Sequence, residues 1–423
     1  MQKRNISPNN FEQCVKCAIC TDFCPVLKVL PDYPGPKHAG PDGERLRLKN
    51  ALFFDSNLKY CLNCKRCEVV CPSGVRIADI IHSARDRYGD IHPSLRDRML
   101  ANTDAMGSLA TPFAPVVNGT LGLGVTKSVM DGVLKIDHRR TFPKYTGRKF
   151  TSWFRREAAS LQDAYFRQVS YFHGCYVNYN YPQLGKDFVR VMNALGYGVQ
   201  LLDKEKCCGV AMMSGGMFDA ARRNARINLA SVASAAKEGR VTLTTSSTCT
   251  LTMREEYPGV LGIDNEMVRE DILLAVRFIY EAIEKGEAKV AFRPDFKARA
   301  AYHVPCHQEK LGWGLFTRAL MELIPGMELV PLDSNCCGIA GTYGFKKENY
   351  ERSQQIGQAL FDDIARVGPD YVICECETCK WQIEMSTGVE VRNPISVLAE
   401  ALDLPATAAL NQRTNFALKE VQS

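Results

Sequence analysis

Eight of the eighteen cysteines fall into two runs of one spacing, C-x2-C-x2-C-x3-C-P: Cys14, Cys17, Cys20 and Cys24 before Pro25, then Cys61, Cys64, Cys67 and Cys71 before Pro72. The second run repeats the first at an offset of 47 residues. Four thiolates meet the ligand demand of a [4Fe–4S] cube, and the short gaps let one tight loop reach three of its irons. In paired runs of this kind the cysteine before proline serves the other cube. Cys14, Cys17, Cys20 and Cys71 are therefore expected to hold one cluster, and Cys61, Cys64, Cys67 and Cys24 the other. Structural zinc also accepts C-x2-C pairs, but it needs neither a third evenly spaced cysteine nor a Cys-Pro ending. Two such cubes form an electron wire.

Most of the remaining cysteines repeat at a longer period. Cys175, Cys207-Cys208-Gly209 and Cys249 recur as Cys306, Cys336-Cys337-Gly338 and Cys379, at offsets of 131, 129 and 130 residues. Leu202-Asp203 and Leu332-Asp333 precede the two Cys-Cys pairs, and Ala211 matches Ala340. Near-constant offsets at separate anchors mark a duplicated domain. Cys376 gives the second copy five thiolates: Cys306, Cys336, Cys337, Cys376 and Cys379. Five is too many for one zinc or an ordinary cube. A larger or split cluster could use them; a mixture of buried free cysteines and one zinc is the alternative. Where the second copy has Cys376 the first has Ser246, and a hydroxyl is a far poorer iron ligand than a thiolate. The first copy is expected to have kept its fold and lost its cluster. His173 and His303 lie shortly before the leading cysteine of each copy, and His307 follows Cys306. Such imidazoles tune a cluster by hydrogen bonding, relay a proton to a quinone, or are structural.

The elements that must position these thiols alternate in type. Val169–Gly174, Gly198–Leu202 and Val241–Thr245 read as short buried strands. Leu184, Phe188, Val191, Met192 and Leu195 recur at helical spacing, and Ala220–Ala236 reads as a second helix. The second copy repeats the order, with strands at Arg299–Val304, Glu328–Leu332 and Tyr371–Cys374. The fold class expected is a multidomain α/β and α+β chain: a largely helical two-cluster ferredoxin-like domain, then two α/β domains with small parallel sheets. Open sheets of this kind place ligands at strand ends, where the cysteines fall. The boundaries are 1–92 for the ferredoxin-like domain, 93–166 for a connector, 167–290 for the first cysteine-rich copy and 291–423 for the second.

Composition agrees with a folded soluble chain of 423 residues, 24% charged and 46% hydrophobic, with net charge +6. The opening MQKRNISPNN lacks an apolar core for export. So many cysteines without an export signal point to metal ligation in a reducing cytoplasm. Ala105–Thr126 carries no charge but holds too many prolines and glycines for a spanning helix. Val125, Val129, Val133, Leu134 and Ile136 lie near one helical face. Lys135, Arg139, Arg140, Lys144, Arg148, Lys149, Arg155 and Arg156 follow against one acid, Asp137, with Tyr145, Phe150, Trp153 and Phe154 interleaved. Basic residues beside exposed aromatics suit an anionic membrane surface, and this connector is expected to make peripheral membrane contact. Beside iron–sulfur wiring, nucleic acid is not expected as a partner.

Neither a G-x-G-x-x-G after a strand nor a P-loop occurs, so no flavin or NAD is expected on this chain. Substrate electrons must come from a partner, and no catalytic residue is assigned. The duplicated Cys…Cys-Cys-Gly…Cys-x-x-Cys domain resembles that of heterodisulfide reductase and related iron–sulfur oxidoreductases. The segments FEQCVKCAICTDFCPV, PGPKHAGPDGERLRLKN, KYCLNCKRCEVVCPS, NCCGIAGTYGFKKENY and CETCKWQIEMST resemble the iron–sulfur subunits of bacterial anaerobic glycerol-3-phosphate dehydrogenases over nearly the full length. The resemblance implies a non-cubane [4Fe–4S] cluster on the five-cysteine set. It also implies flavoprotein glycerol-3-phosphate dehydrogenase subunits as partners, and electron delivery to the menaquinone pool at the cytoplasmic face of the inner membrane. Such a protein is not catalytic alone on glycerol 3-phosphate. The iron–sulfur subunit of a lactate or glycolate oxidase shares the architecture, and a zinc-stabilised scaffold is the reading without redox chemistry.

Overall fold

Each cysteine-rich copy builds one four-stranded, wholly parallel sheet. In this computed structural model, which describes residues 10–50, 56–88 and 92–412, the first sheet contains β1 (Arg167–Phe172), β2 (Tyr197–Leu201), β3 (Thr242–Thr244) and β4 (Ile272–Leu274), in the order β2-β1-β3-β4. The second contains β5 (Ala298–Tyr302), β6 (Met327–Pro331), β7 (Tyr371–Ile373) and β8 (Val391–Arg392), in the equivalent order β6-β5-β7-β8. Val169 pairs with Val199, and Ala300 with both Leu329 and Tyr371. The fourth strand of each sheet goes beyond the sequence expectation. Three residues and two residues are too short to show a period-two pattern. The opening stretch MQKRNISPN, where an export signal would begin, lies outside the described residues.

Parallel strands need crossovers, and amphipathic helices supply them. Pro182–Ala194 buries Leu184, Phe188, Val191 and Met192 on β1 and β2. Phe218–Lys237 follows in the first copy, with Gly314–Glu322 and Tyr350–Val367 in the second. The two copies share a core: Val169, Tyr171 and Phe188 from the first pack in one cluster with Ala300, Tyr302, Ile373 and Leu398 from the second. At their seam the Ser247 amide donates to the Glu375 carbonyl at 3.0 Å, and the Asn393 amide to the Thr245 carbonyl at 2.9 Å. The ends of β3 and β7 are thereby held side by side.

The N-terminal domain is helical and small. Its helix Ile77–Tyr88 buries Ile77, Ile80 and Ile81 against Val26, Tyr33 and Leu58. Cys336 and Ile356 of the second copy belong to the same cluster, so the ferredoxin-like domain is packed directly on the far end of the chain.

Part of the connector's basic and aromatic stretch is built into the fold. Phe150 and Phe154 are 0% and 3% exposed and lie in the core shared by the two copies. Arg140 is 1% exposed; its guanidinium donates to Ser353 Oγ at 2.9 Å and to Gln382, and stacks over Tyr350. Arg139 bonds to Asp137 and Glu351, and Arg148 to Glu157. Sequence pattern alone turns these residues toward lipid; the Glu351 that pairs with Arg139 and the Ser353 and Gln382 that accept from Arg140 are remote in the chain, where local charge counting does not reach. The exposed apolar surface lies just upstream. Leu109, Phe113, Val116, Val125, Val129 and Val133 are between 56% and 77% exposed. They lie on a run of short helices spanning Thr103–Ala110, Ala114–Leu121 and Gly124–Val129, and on the helical turns beside them. Among the described residues no helix is long and apolar enough to cross a membrane.

Candidate metal centres

Both C-x2-C-x2-C loops share an unusual backbone. Lys16 and Ala18 in the first, and Asn63 and Lys65 in the second, have φ of 60°, 64°, 57° and 61°. These are corresponding positions, one in each two-residue gap. Left-handed conformations at non-glycine residues cost energy and persist where the surroundings require them. Here they curl the chain so that its three cysteines point inward. Cys71 joins the first loop: it lines one small pocket with Cys14, Cys17 and Cys20. Burial pushes the Cys20 thiol up to about 11, with the thiols of Cys14, Cys71 and Cys17 adding to the rise. Cys24 lies with the second loop. Burial pushes Cys64 up to about 12, and its neighbouring thiols are Cys24 and Cys61; Cys67 is raised by burial, then by Glu68, Cys64, Cys61 and Cys24. The thiols thus gather in two groups, 14/17/20/71 and 24/61/64/67.

In the second copy the cysteines sit at the carboxyl ends of the strands. Cys306 opens the helix Cys306–Leu311 after β5, Cys336-Cys337 follow β6, and Cys376 caps the helix Glu377–Thr387 after β7. Gly338 has φ of 85°, and a Cβ there would meet the Ser353 carbonyl oxygen at 2.0 Å, so the Cys-Cys pair must be followed by glycine. Cys337 Sγ lies 3.2 Å from Cys379 Sγ. Hydrogen bonding with the thiols of Cys336 and Cys379 holds Cys337 well below the ordinary thiol range. All five cysteines line a cavity of about 520 Å³ that Cys61 and Cys64 also line. The join between the two sites is specific. His307 Nε2 lies 3.2 Å from the Asn63 carbonyl oxygen, Arg66 pairs with Glu309 at 3.4 Å, and Lys310 with Glu68 at 3.0 Å.

The first copy also gathers its thiols. The Cys207 thiol is hydrogen-bonded by Cys175 and Cys208, which hold it well below its ordinary range, and Cys208 in turn contacts Cys249. Ser246 has a structural task of its own. It accepts from the Cys249 amide at 3.4 Å as a helix cap and donates to Glu377 of the second copy at 3.0 Å. His173 sits against Glu205 at 3.1 Å and its Nδ1 lies 2.9 Å from the Gly174 carbonyl.

The three histidines therefore part company. His307 joins two sites, His173 is satisfied locally, and His303 has no hydrogen-bond partner on either ring nitrogen among the described residues. Burial pushes both His173 and His303 down to about 4, leaving them neutral. Several residues at these sites lie outside the cysteine spacing pattern. Cys374 is buried beside Cys379, and His82 and Arg85 line the shared cavity beside Cys61. Glu375 and Glu377 flank Cys376, and burial pushes them up to about 7 and about 8. Only the position of Cys374, two residues before Cys376, could have flagged it.

The donor sets fit iron–sulfur chemistry. Soft thiolates converge in groups of four and five, in loops whose strained backbone has no other evident purpose, around a cavity that protein atoms leave open.

Comparison with known proteins gives the same domains. Residues 10–75 match the family model "4Fe-4S dicluster domain", and residues 169–254 and 300–384 each match "Cysteine-rich domain". The chain is 54% identical over 398 residues to a subunit of the anaerobic glycerol-3-phosphate dehydrogenase of Escherichia coli K12, covering 94% of this chain and all of that one. It is 25% identical to a subunit of the fumarate reductase (CoM/CoB) of Methanothermobacter marburgensis, over 95% of this chain and 75% of that protein. It is 26% identical to the glycolate oxidase iron–sulfur subunit of E. coli K12, over 92% of this chain and 94% of that protein.

Proposed function

The chain belongs to the iron–sulfur subunit family of anaerobic glycerol-3-phosphate dehydrogenase, whose members transfer electrons, and on that premise we propose that it carries electrons from a flavoprotein oxidising glycerol 3-phosphate toward menaquinone. Cys14, Cys17, Cys20 and Cys71 hold one [4Fe–4S] cube, and Cys61, Cys64, Cys67 and Cys24 the other. Cys306, Cys336, Cys337, Cys376 and Cys379 hold one non-cubane [4Fe–4S] cluster. When bound, these groups supply one-electron carriers. The protein supplies their spacing and their insulation from water. The domain limits that go with this reading are 1–92, 93–166, 167–290 and 291–423.

One observation carries the reading: cysteines of the N-terminal domain and the five cysteines of the second copy line the same cavity, about 520 Å³ in volume. A scaffold stabilised by separate zinc ions has no reason to bring the two sets to one space. The direction of flow is supported by exposure. Cys17 is exposed, and Val15, Ile19 and Phe23 around it are exposed apolar residues suited to a docked flavoprotein. The 24/61/64/67 group lies deeper, against the second copy. Delivery to menaquinone takes the chain to the cytoplasmic face of the inner membrane. The exposed apolar side chains from Leu109 to Val133, with Lys127, Lys135 and Lys144 nearby, are suited to lie in the lipid interface.

Anaerobic affinity capture of the intact chain, with mass spectrometry of its partners and metal analysis, tests the proposal. A glycerol-3-phosphate-oxidising flavoprotein and abundant iron are expected. Capture of a lactate or glycolate oxidase flavoprotein would reassign the substrate, and zinc without iron or sulfide would end the electron-transfer reading.

A further inference from the structure

The second copy gathers three side chains of metal-ligating type, two of them outside the five-cysteine pattern. One ring nitrogen of His303, Cys374 Sγ and Cys379 Sγ all lie within 4.8 Å of one another, and all three residues are buried. Ligands at about 2.0–2.3 Å from one ion are separated by up to roughly 4.6 Å, a spacing these atoms reach with small side-chain adjustments. His303 is 1% exposed, and neither of its ring nitrogens has a hydrogen-bond partner among the described residues. A buried imidazole left unpaired on both sides is costly, and folded proteins rarely keep one without a use.

The duplicated domain provides an internal control. His173 is the counterpart of His303, and there the ring is engaged by Glu205 and by the Gly174 carbonyl. The second copy has no glutamate between Asp333 and Cys336, and Asn335 there donates to Asp363 at 3.2 Å. Cys374 corresponds to Thr244, whose hydroxyl lies 2.6 Å from that of Thr250 and donates to the Ser246 carbonyl at 2.9 Å. Both copies build the same four-stranded sheet, so neither an unpaired imidazole nor a thiol at these positions is required by the fold. The copy whose histidine is satisfied has threonine at that place. The copy whose histidine is unpaired has placed a thiol beside it.

We propose that His303 and Cys374 would join Cys379 as ligands of the second copy's metal centre. The centre is then held by six thiolates and one imidazole. An imidazole offers a nitrogen lone pair, a donor that suits iron as well as zinc. The inference rests on the iron–sulfur reading of the five-cysteine set.

The test uses the full, cluster-loaded chain purified anaerobically from cells supplied with ¹⁵N-histidine. Pulsed electron paramagnetic resonance on the paramagnetic second-copy centre is expected to show a strongly coupled ¹⁵N nucleus. The coupling should vanish in His303→Gln, while the signals of the two N-terminal cubes persist and report an intact fold. Cys374→Thr, which installs the residue of the first copy, should shift the g-values of the same centre or release one of its irons. A second-copy cluster signal with weak or no nitrogen coupling in the unaltered chain would overturn the ligand assignment alone. So would a strong coupling that survives His303→Gln, or one zinc per chain lost on Cys374→Thr with the iron signal unchanged. Absence of any iron signal from the second copy would overturn the underlying reading as well.

Discussion

His307 Nε2 lies 3.2 Å from the carbonyl oxygen of Asn63. The residue after Cys306 is thus hydrogen-bonded to the loop between Cys61 and Cys64, and this contact ties the N-terminal wire to the second copy. His307→Ala should remove about 1–2 kcal/mol of stability, the worth of a buried hydrogen bond whose acceptor is left unpaired. Iron content should be unchanged. Rapid-mixing reduction should show slower electron arrival at the second-copy centre, and an unaltered rate would make the contact purely structural.

Cys24→Ser is expected to damage the centre held by Cys61, Cys64 and Cys67, because Cys24 is gathered with those three and not with its own loop. Cys71→Ser should damage the centre of Cys14, Cys17 and Cys20. Electron paramagnetic resonance on the two variants reads this out. Loss of the local triplet's own signal in each case would refute the crossing.

Lys65 is buried between domains. Its ammonium contacts Asp79 and Glu68 of its own domain and lies 3.4 Å from Glu256 of the first copy. Asp79 also pairs with Arg76 at 2.6 Å and Glu68 with Lys310 at 3.0 Å, so Lys65→Met leaves Glu256 as the buried carboxylate without a counter-charge, which should cost about 3–5 kcal/mol. The double change Lys65→Met with Glu256→Gln should recover part of that loss. Chemical denaturation of the loaded protein measures both, and equal stability of the two variants would show that the pair is not coupled.

Membrane binding should depend on the exposed apolar run and not on the paired arginines of the connector. Val125→Asp with Val129→Asp removes roughly 3 kcal/mol of apolar burial, about a hundredfold in liposome affinity. Arg148→Glu, at a residue already paired with Glu157, should have the smaller effect. Flotation with anionic vesicles distinguishes them. The reverse ranking would return the contact to the basic stretch.

Iron should amount to about twelve atoms per chain, four for each of three clusters. The first copy brings Cys175, Cys207, Cys208 and Cys249 into a chain of contacts, but Ser246 is committed to capping its helix and to Glu377. An iron content near sixteen atoms, with a second non-cubane signal lost on Cys208→Ser, would show that copy to be loaded.

Much of this is legible in the sequence because it depends on short spacing. The C-x2-C-x2-C runs, the duplicated Cys-Cys-Gly and the first three strands of each sheet are local patterns, since a loop around a metal and a buried strand impose their periods on neighbouring residues. The fourth strands are too short to carry a period. What only the tertiary structure decided depends on residues far apart in the chain. Arg140 reads as a charge facing a membrane surface until Ser353 and Gln382 are folded against it, and Phe150 as an exposed aromatic until both copies close over it. The difference between His173 and His303 is likewise invisible in sequence. Each lies shortly before the leading cysteine of its copy, and only three-dimensional packing leaves one satisfied by Glu205 and the other unpaired beside Cys374. Spacing can declare which donors a site possesses, but which groups remain unpaired and face one another is set by the packing of whole domains.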